Sequence, residues 1–408
     1  MSTKVFDEYV LPNGSRLSNR VVKAAMEENL SAAGNLPDQA LFNLYRSWSA
    51  GGAGALITGN VMVDRHAMTG PGGVALEAET KLEPFKQWAS AAKEGGNQVW
   101  MQINHPGRQV YAAMGGKVLS PSDIALDMGK FSKLFGKPQP MTEAQIQDLI
   151  QRFASTASNA VEAGFDGVQI HAAHGYLVSQ FLSPLTNQRD DQWGGSIENR
   201  ARLLIEIVKA IREKVPSNAT VSVKLNSADF QRGGFDAEDA KQVLAMLAPL
   251  GIDFVELSGG SYESPAMQGQ TVDGRTLQRE AYFLKFVEEL AKSSTLPIMT
   301  TGGISRLPVA QTVLDAGIDL VGVGRGLAFA PKLVQQWQSD EHATAPIPDV
   351  AWKDKTMSAM AVMAVTKDQL RRLSKGGDVK PNVSPLLSLL ADQWRLKSLT
   401  RRYRRELS

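Results

Sequence analysis

The chain has 408 residues, 43% hydrophobic and 21% charged, with a formal net charge of +2, and it contains no cysteine. That composition excludes a disordered or fibrous protein, and the missing thiols exclude disulfides, thiolate metal sites, thiolate-ligated iron–sulfur clusters and cysteine nucleophiles. No apolar run approaches the ~20 residues of a membrane-spanning helix, and Met1–Val10 lacks a signal peptide's apolar core, so a globular, cytoplasmic protein is expected.

In chain order, Leu11–Leu17 carries an Asn13-Gly14 turn and predicts a hairpin. Short apolar runs then alternate with longer amphipathic ones. Val21–Met26 reads as a strand, Asp38–Ala50 as a helix, Ala55–Thr58 as a strand and Lys81–Gly95 as a helix. Gln98–Ile103 is a strand, and Thr142–Glu162 a helix opened by a Thr142/Gln145 capping box. Strands over Gly167–Ile170, Thr220–Leu225 and Phe254–Leu257 are followed by helices over Glu198–Lys214, Ala237–Ala248 and Arg279–Lys292. The last two pairs are Pro297–Thr300 with Pro308–Asp315, and Leu320–Val323 with Lys332–Gln338.

The remainder is basic. Residues 353–408 hold 13 Lys+Arg against 5 Asp+Glu, which leaves 31 against 37 in the rest. A tail ending in Arg401, Arg402, Arg404 and Arg405 can touch nucleic acid or an acidic surface. Leu386, Leu389, Leu390, Trp394 and Leu399 instead favour burial against the chain's own body or a second subunit of a homo-oligomer. Neither a nucleic-acid nor a membrane partner is expected.

Eight strand–helix pairs predict an α/β fold, a closed (β/α)8 TIM barrel over residues 1–345, its N-terminal end plugged by the hairpin. Residues 346–408 form a helical extension. An open doubly wound sheet would want a glycine-rich turn after its first strand, and Met26-Glu27-Glu28-Asn29 has none.

In such a barrel the chemistry belongs at the C-terminal ends of the strands. The fourth ends in His171-Ala172-Ala173-His174-Gly175-Tyr176, two of five histidines and a tyrosine in six positions. Two neutral imidazoles can polarise one substrate oxygen and a phenol can deliver a proton. A metal pair lacking its third ligand, or satisfied structural histidines, would give the same spacing. The third strand ends in Gln102, and the long segment Asn104–Pro140 after it suits a binding loop. Gly302 and Gly303 after the seventh strand, and Gly324 and Arg325 after the eighth, suit a phosphate.

The run His171–Tyr176, continuing through Leu177–Pro184, resembles the flavin oxidoreductases of the old yellow enzyme family. So do Asn187–Arg200, Gln102–Arg108, Asn19-Arg20 and Gly322–Arg325, a likeness spanning roughly the first 340 residues. The resemblance implies a single barrel that binds FMN non-covalently and takes hydride from NAD(P)H. It places Ala25, Met26 and the Asn60 backbone beside the flavin ring, Gln102 at its pyrimidine edge and Lys224 against the side that gains charge on reduction. It puts Gly302, Gly303, Gly324 and Arg325 at the phosphate, His171 and His174 on the substrate oxygen, and Tyr176 as proton donor.

Two positions depart from the family pattern. Glu27 stands where Thr or Cys is usual, and its carboxylate would oppose negative charge on the ring unless protonated or turned away. Lys224 stands where Arg is common, keeping the charge but losing the planar fork. The implied activity is ping-pong reduction of α,β-unsaturated carbonyl or nitro compounds. Oxidative flavin dehydrogenation, or flavin-based redox sensing with little turnover, are the alternatives.

Overall fold

In the computed structural model, which describes residues 3–264 and 284–407, eight parallel strands close on themselves. They are Val21–Lys23, Ala55–Ile57, Gln98–Asn104, Gly167–Ala172, Thr220–Asn226, Phe254–Ser258, Ile298–Thr301 and Leu320–Val323. Each pairs with its successor, and the eighth returns to the first through Val321↔Val21. This is the (β/α)8 barrel. Its strands are buried along almost their whole length because helices cover them outside and side chains fill them inside.

The helices start where capping chemistry directs. The Asp38 carboxylate accepts from the Ala40 amide ahead of Gln39–Ser49, and the Thr142/Gln145 capping box opens Glu143–Glu162. Asp236 caps Ala237–Leu247 by accepting from two amides. The helix read over Arg279–Lys292 is present as Leu284–Ser293, and positions 279–283 lie outside the described residues. The first strand is shorter than its apolar run suggests, ending at Lys23 rather than Met26. Its neighbours stop at Ile57 and Val323, so Ala25 and Met26 have no ladder to join and turn into the barrel mouth.

At the opposite end, Tyr9–Val10 pairs antiparallel with Arg16–Leu17 as a hairpin. Leu11 and Leu17 pack on Val22, Ile57, Trp100, Phe254 and Met299, closing the bottom of the barrel. The Asn13 amide donates to the Asp253 carboxylate at 3.1 Å and pins the tip.

The extension comprises two helices, Lys355–Leu373 and Pro385–Leu407, packed on each other. The second crosses the loops after the first three strands. Arg395 donates to the Asn29 carbonyl, Arg402 to Ser31 and the Tyr403 hydroxyl to Arg65, while the Tyr403 ring packs with Met62, Met68 and Met114. The expectation that five apolar residues bury this helix holds for Leu389 and Leu399 only. Leu386, Leu390 and Trp394 are 54%, 58% and 76% exposed, because spacing of four puts them on a ridge opposite the face carrying Leu389, Leu399 and Tyr403. Among the described residues, no helix is long and apolar enough to cross a membrane.

Candidate active site

The interior of the barrel mouth is polar, and its charges are matched. Register sets Gln102 opposite Gln169, and Lys224 between His171 and Glu256. Glu256 is fully buried and accepts from Lys224 Nζ at 2.7 Å, Thr301 Oγ1 at 2.8 Å and Gln169 Nε2 at 3.0 Å. Gln102 Nε2 in turn donates to Gln169 Oε1 at 2.7 Å. On the outer side of the first strand, beneath the helix Gln39–Ser49, Lys23 is also fully buried; it donates to the Ile57 carbonyl at 2.7 Å and lies 4.3 Å over the Trp48 ring. Burial lowers its pKa to about 8, against the opposing pull of the Glu28 carboxylate. Glu28 is itself pushed up by burial, and it accepts from the Tyr45 hydroxyl and the Gly59 amide.

Above this layer the end of the fourth strand gathers three rings. His171 stands edge-on to His174 and Tyr176, with centroids 5.0 and 4.9 Å apart. The Ala173 amide donates to His171 Nδ1 at 3.3 Å, which leaves the proton of the neutral ring on Nε2. His174 adopts a left-handed backbone, φ 62°, followed by Gly175 at φ 72°. Asn226 Oδ1 holds that turn through the His174 amide, and Ser258 Oγ engages His174 Nε2 at 2.8 Å. Burial, reinforced by the Lys224 charge, drives both histidines well below their ordinary pKa, so both are neutral near pH 7. Burial and the Glu27 charge raise the Tyr176 phenol, which keeps its proton.

The tyrosine side carries two features that sequence reasoning did not assign. Tyr262, just beyond the sixth strand, puts its hydroxyl 3.1 Å from that of Tyr176. Phe135 from the long loop stacks on Tyr111, so Asn104–Pro140 contributes rings to the site, as a binding loop would. Arg108 and Glu263 pair at 2.6 Å and tie that loop to the segment after the sixth strand. Glu27 accepts from Thr69 Oγ1 at 2.6 Å, and its charge is felt by Tyr111, Tyr176 and Tyr262.

One cavity collects most of the expected residues. Ala25, Met26, His174, Lys224, Gly302, Gly303, Gly324 and Arg325 line it, joined by Ser258, Thr301, Ile304, Ser305, Gly326 and Ile347. Gly302 and Gly303 have φ of 145° and 68°, conformations that glycine alone adopts freely. A Cβ added at Gly324 would meet nothing within 4 Å, so open space lies over that turn. The Arg325 side chain has no carboxylate partner among the described residues. An anion therefore fits against it, as the phosphate of a flavin nucleotide requires. Asn60 lies apart, lining a small void with Glu27 and Glu28. Ile347 could not have been anticipated from spacing, whereas Thr301 and Ile304 flank the glycine pair, Ser305 follows, and Glu256 stands out as a charge inside an apolar strand.

The model of the NADH:flavin oxidoreductase / NADH oxidase family matches residues 10–343. The NADH-dependent flavin oxidoreductase iliE of Hypocrea jecorina is 37% identical over 342 residues, covering 78% of this chain and 85% of that protein. A 2-naphthoyl-CoA reductase solved with 2-naphthoyl-CoA has a TM-score of 0.76 at 25% identity, covering 84% of this chain and 54% of that one. An old yellow enzyme homologue from Zymomonas mobilis has a TM-score of 0.70 at 23% identity, covering 84% and 94%.

Proposed function

The chain belongs to the NADH:flavin oxidoreductase / NADH oxidase family, the old yellow enzymes, and is an NAD(P)H-dependent flavin oxidoreductase; from that premise we propose that it reduces activated C=C bonds of α,β-unsaturated carbonyl or nitro compounds. The observation that carries the reading is one cavity that runs from the anion cradle to His174, whose ring stands against His171, which in turn stands against Tyr176. That a structural neighbour is a reductase solved with an aromatic acyl-CoA agrees with a conjugated carbonyl substrate.

In this reading residues 1–345 bind FMN non-covalently and 346–408 brace the loops around it. Gly302, Gly303, Gly324 and Arg325 would hold the phosphate, Lys224 and Gln102 the ring's polar edge, with Ala25, Met26, Glu27 and Asn60 alongside. Bound FMN supplies the hydride chemistry, and the protein supplies orientation and electrostatics. His171 donates Nε2–H to the substrate oxygen, a role its neutral tautomer permits. His174, fixed by Ser258 and Asn226, shapes the same wall. Tyr176 gives its proton to the α-carbon, and Tyr262 stands close enough to replace it. NAD(P)H and the unsaturated substrate occupy the cavity in turn, a ping-pong sequence.

The test is the visible spectrum of the purified protein, followed anaerobically as NADH, NADPH and then enones and nitroalkenes are added. A yellow protein bleached by a nicotinamide and recoloured by an enone supports the reading. A protein that takes up no FMN, or recolours only with oxygen, overturns it.

A further inference from the structure

We propose that Glu256 is a positioning residue for the flavin: its buried carboxylate cancels the charge of Lys224 and sets the direction of the Gln102–Gln169 amide chain. This rests on the FMN reading above and adds a residue which that reading leaves unused.

The geometry carries two separate consequences. A carboxylate can only accept hydrogen bonds, so Gln169 must turn its NH₂ toward Glu256 Oε2 and its carbonyl toward Gln102. Gln102 must then answer with its own NH₂, which leaves Gln102 Oε1 without a protein partner among the described residues. One buried anion thus dictates, through two amides, that the barrel mouth offers an acceptor at Gln102, suited to a ring N–H. The second consequence is electrostatic. Lys224 at the same position but unpaired would present a full positive charge to an anion-forming ring. Here Glu256 lies 2.7 Å from Nζ, with both side chains buried, and water does little to screen either charge. The pair is a dipole rather than a cation, so it favours the reduced, more anionic ring less than a lone lysine would. Thr301 Oγ1 donates to Glu256 Oε1, the same oxygen that receives Lys224, and links the pair to the glycine turn after the seventh strand.

The experiment measures FMN affinity of the apoprotein and the two-electron midpoint potential of the holoprotein. Glu256→Gln removes the compensating charge. It should favour reduced over oxidised FMN at least tenfold more than the native protein does, a rise of about 30 mV. Gln169→Met keeps both charges but cuts the amide chain, and should weaken FMN binding several-fold while leaving the potential in place. If Glu256→Gln does not fold, the double variant Lys224→Met/Glu256→Gln replaces a neutral pair with a neutral pair, and its potential should stay near the native value. An unchanged or lowered potential in Glu256→Gln overturns the charge cancellation, as would a marked fall in the double variant. Native FMN affinity in Gln169→Met overturns the orientation role. A native protein that binds no FMN would instead defeat the cofactor reading itself.

Discussion

The two sides of the barrel mouth are built on opposite plans. At the fourth strand, side chains hold one another: His174 is clamped by Ser258 and Asn226, His171 is set by the Ala173 amide, and Tyr176 meets Tyr262. At the seventh and eighth strands the wall is backbone, with glycines at φ 145° and 68° and open space over Gly324. A proton donor and a carbonyl-polarising donor must be held in place before substrate arrives, since catalysis rests on preorganised groups. A phosphate needs only amides and a cation that can approach closely. The first side is therefore sensitive to single atoms, and the second to volume and charge.

The largest effect should come from the first side. Tyr176→Phe removes one hydroxyl and should slow reoxidation of the flavin by enones about 10²–10⁴-fold. Reduction by NAD(P)H and reoxidation by a quinone should remain near normal, with stopped-flow absorbance following each half-reaction. Equal slowing of enone and quinone turnover would make Tyr176 a spacer and erase the contrast. On the second side, Arg325→Ala should cost about 1.5–3 kcal/mol of FMN binding, read by fluorescence titration of the apoprotein. Gly324→Ala sharpens the volume argument. The added methyl meets no protein atom within 4 Å, so apoprotein melting should not move. FMN binding should weaken by about 1–3 kcal/mol, the cost of overfilling a packed space. If the apoprotein also melts lower, the turn is crowded rather than open.

The remaining effect is a pH slope in stability rather than a loss of binding or turnover. His171 and His174 are depressed well below their ordinary values, chiefly by burial. Below the unfolded value of about 6.5 the unfolded chain takes up protons that the folded site refuses. Stability is therefore full above that pH and falls as pH drops below it, by up to about 1.4 kcal/mol per pH unit for each ring. Asn at both positions should flatten the melting temperature between pH 6.5 and 5, and an unaltered profile would mean that the rings titrate freely.

Much of this was legible in the chain itself. Eight alternations of short apolar runs and amphipathic helices determine a barrel, because a parallel strand buried on both faces has no other economical partner than its own neighbours and covering helices. The capping box at Thr142 and the Asn13-Gly14 hairpin are local, and local signals survive folding unchanged. The site's rim was visible for the same reason: His171, His174 and Tyr176 lie within six residues, and the glycine turns are contiguous.

What required tertiary structure is everything that joins distant segments. Lys224 was recognisable as a charge near the ring, but its neutralisation by Glu256 depends on register between neighbouring strands. What holds the Glu27 carboxylate was open until Thr69 was placed beside it. The ends of the strands shifted for a like reason, since Ala25 and Met26 belong to a strand by composition and to the cavity by lack of ladder partners. In the last helix, hydropathy marked Leu386, Leu390 and Trp394 for burial, yet the side that faces the barrel is chosen by Tyr403, Arg395 and Arg402 reaching loops some 340–370 positions earlier in the chain. The sequence by itself determined the repeating unit and the chemistry each strand end can offer, because both depend on neighbours in the chain. Only the tertiary structure decided which of those groups meet, because pairing of buried charges and the choice of a helix face depend on distances that spacing along a chain does not contain.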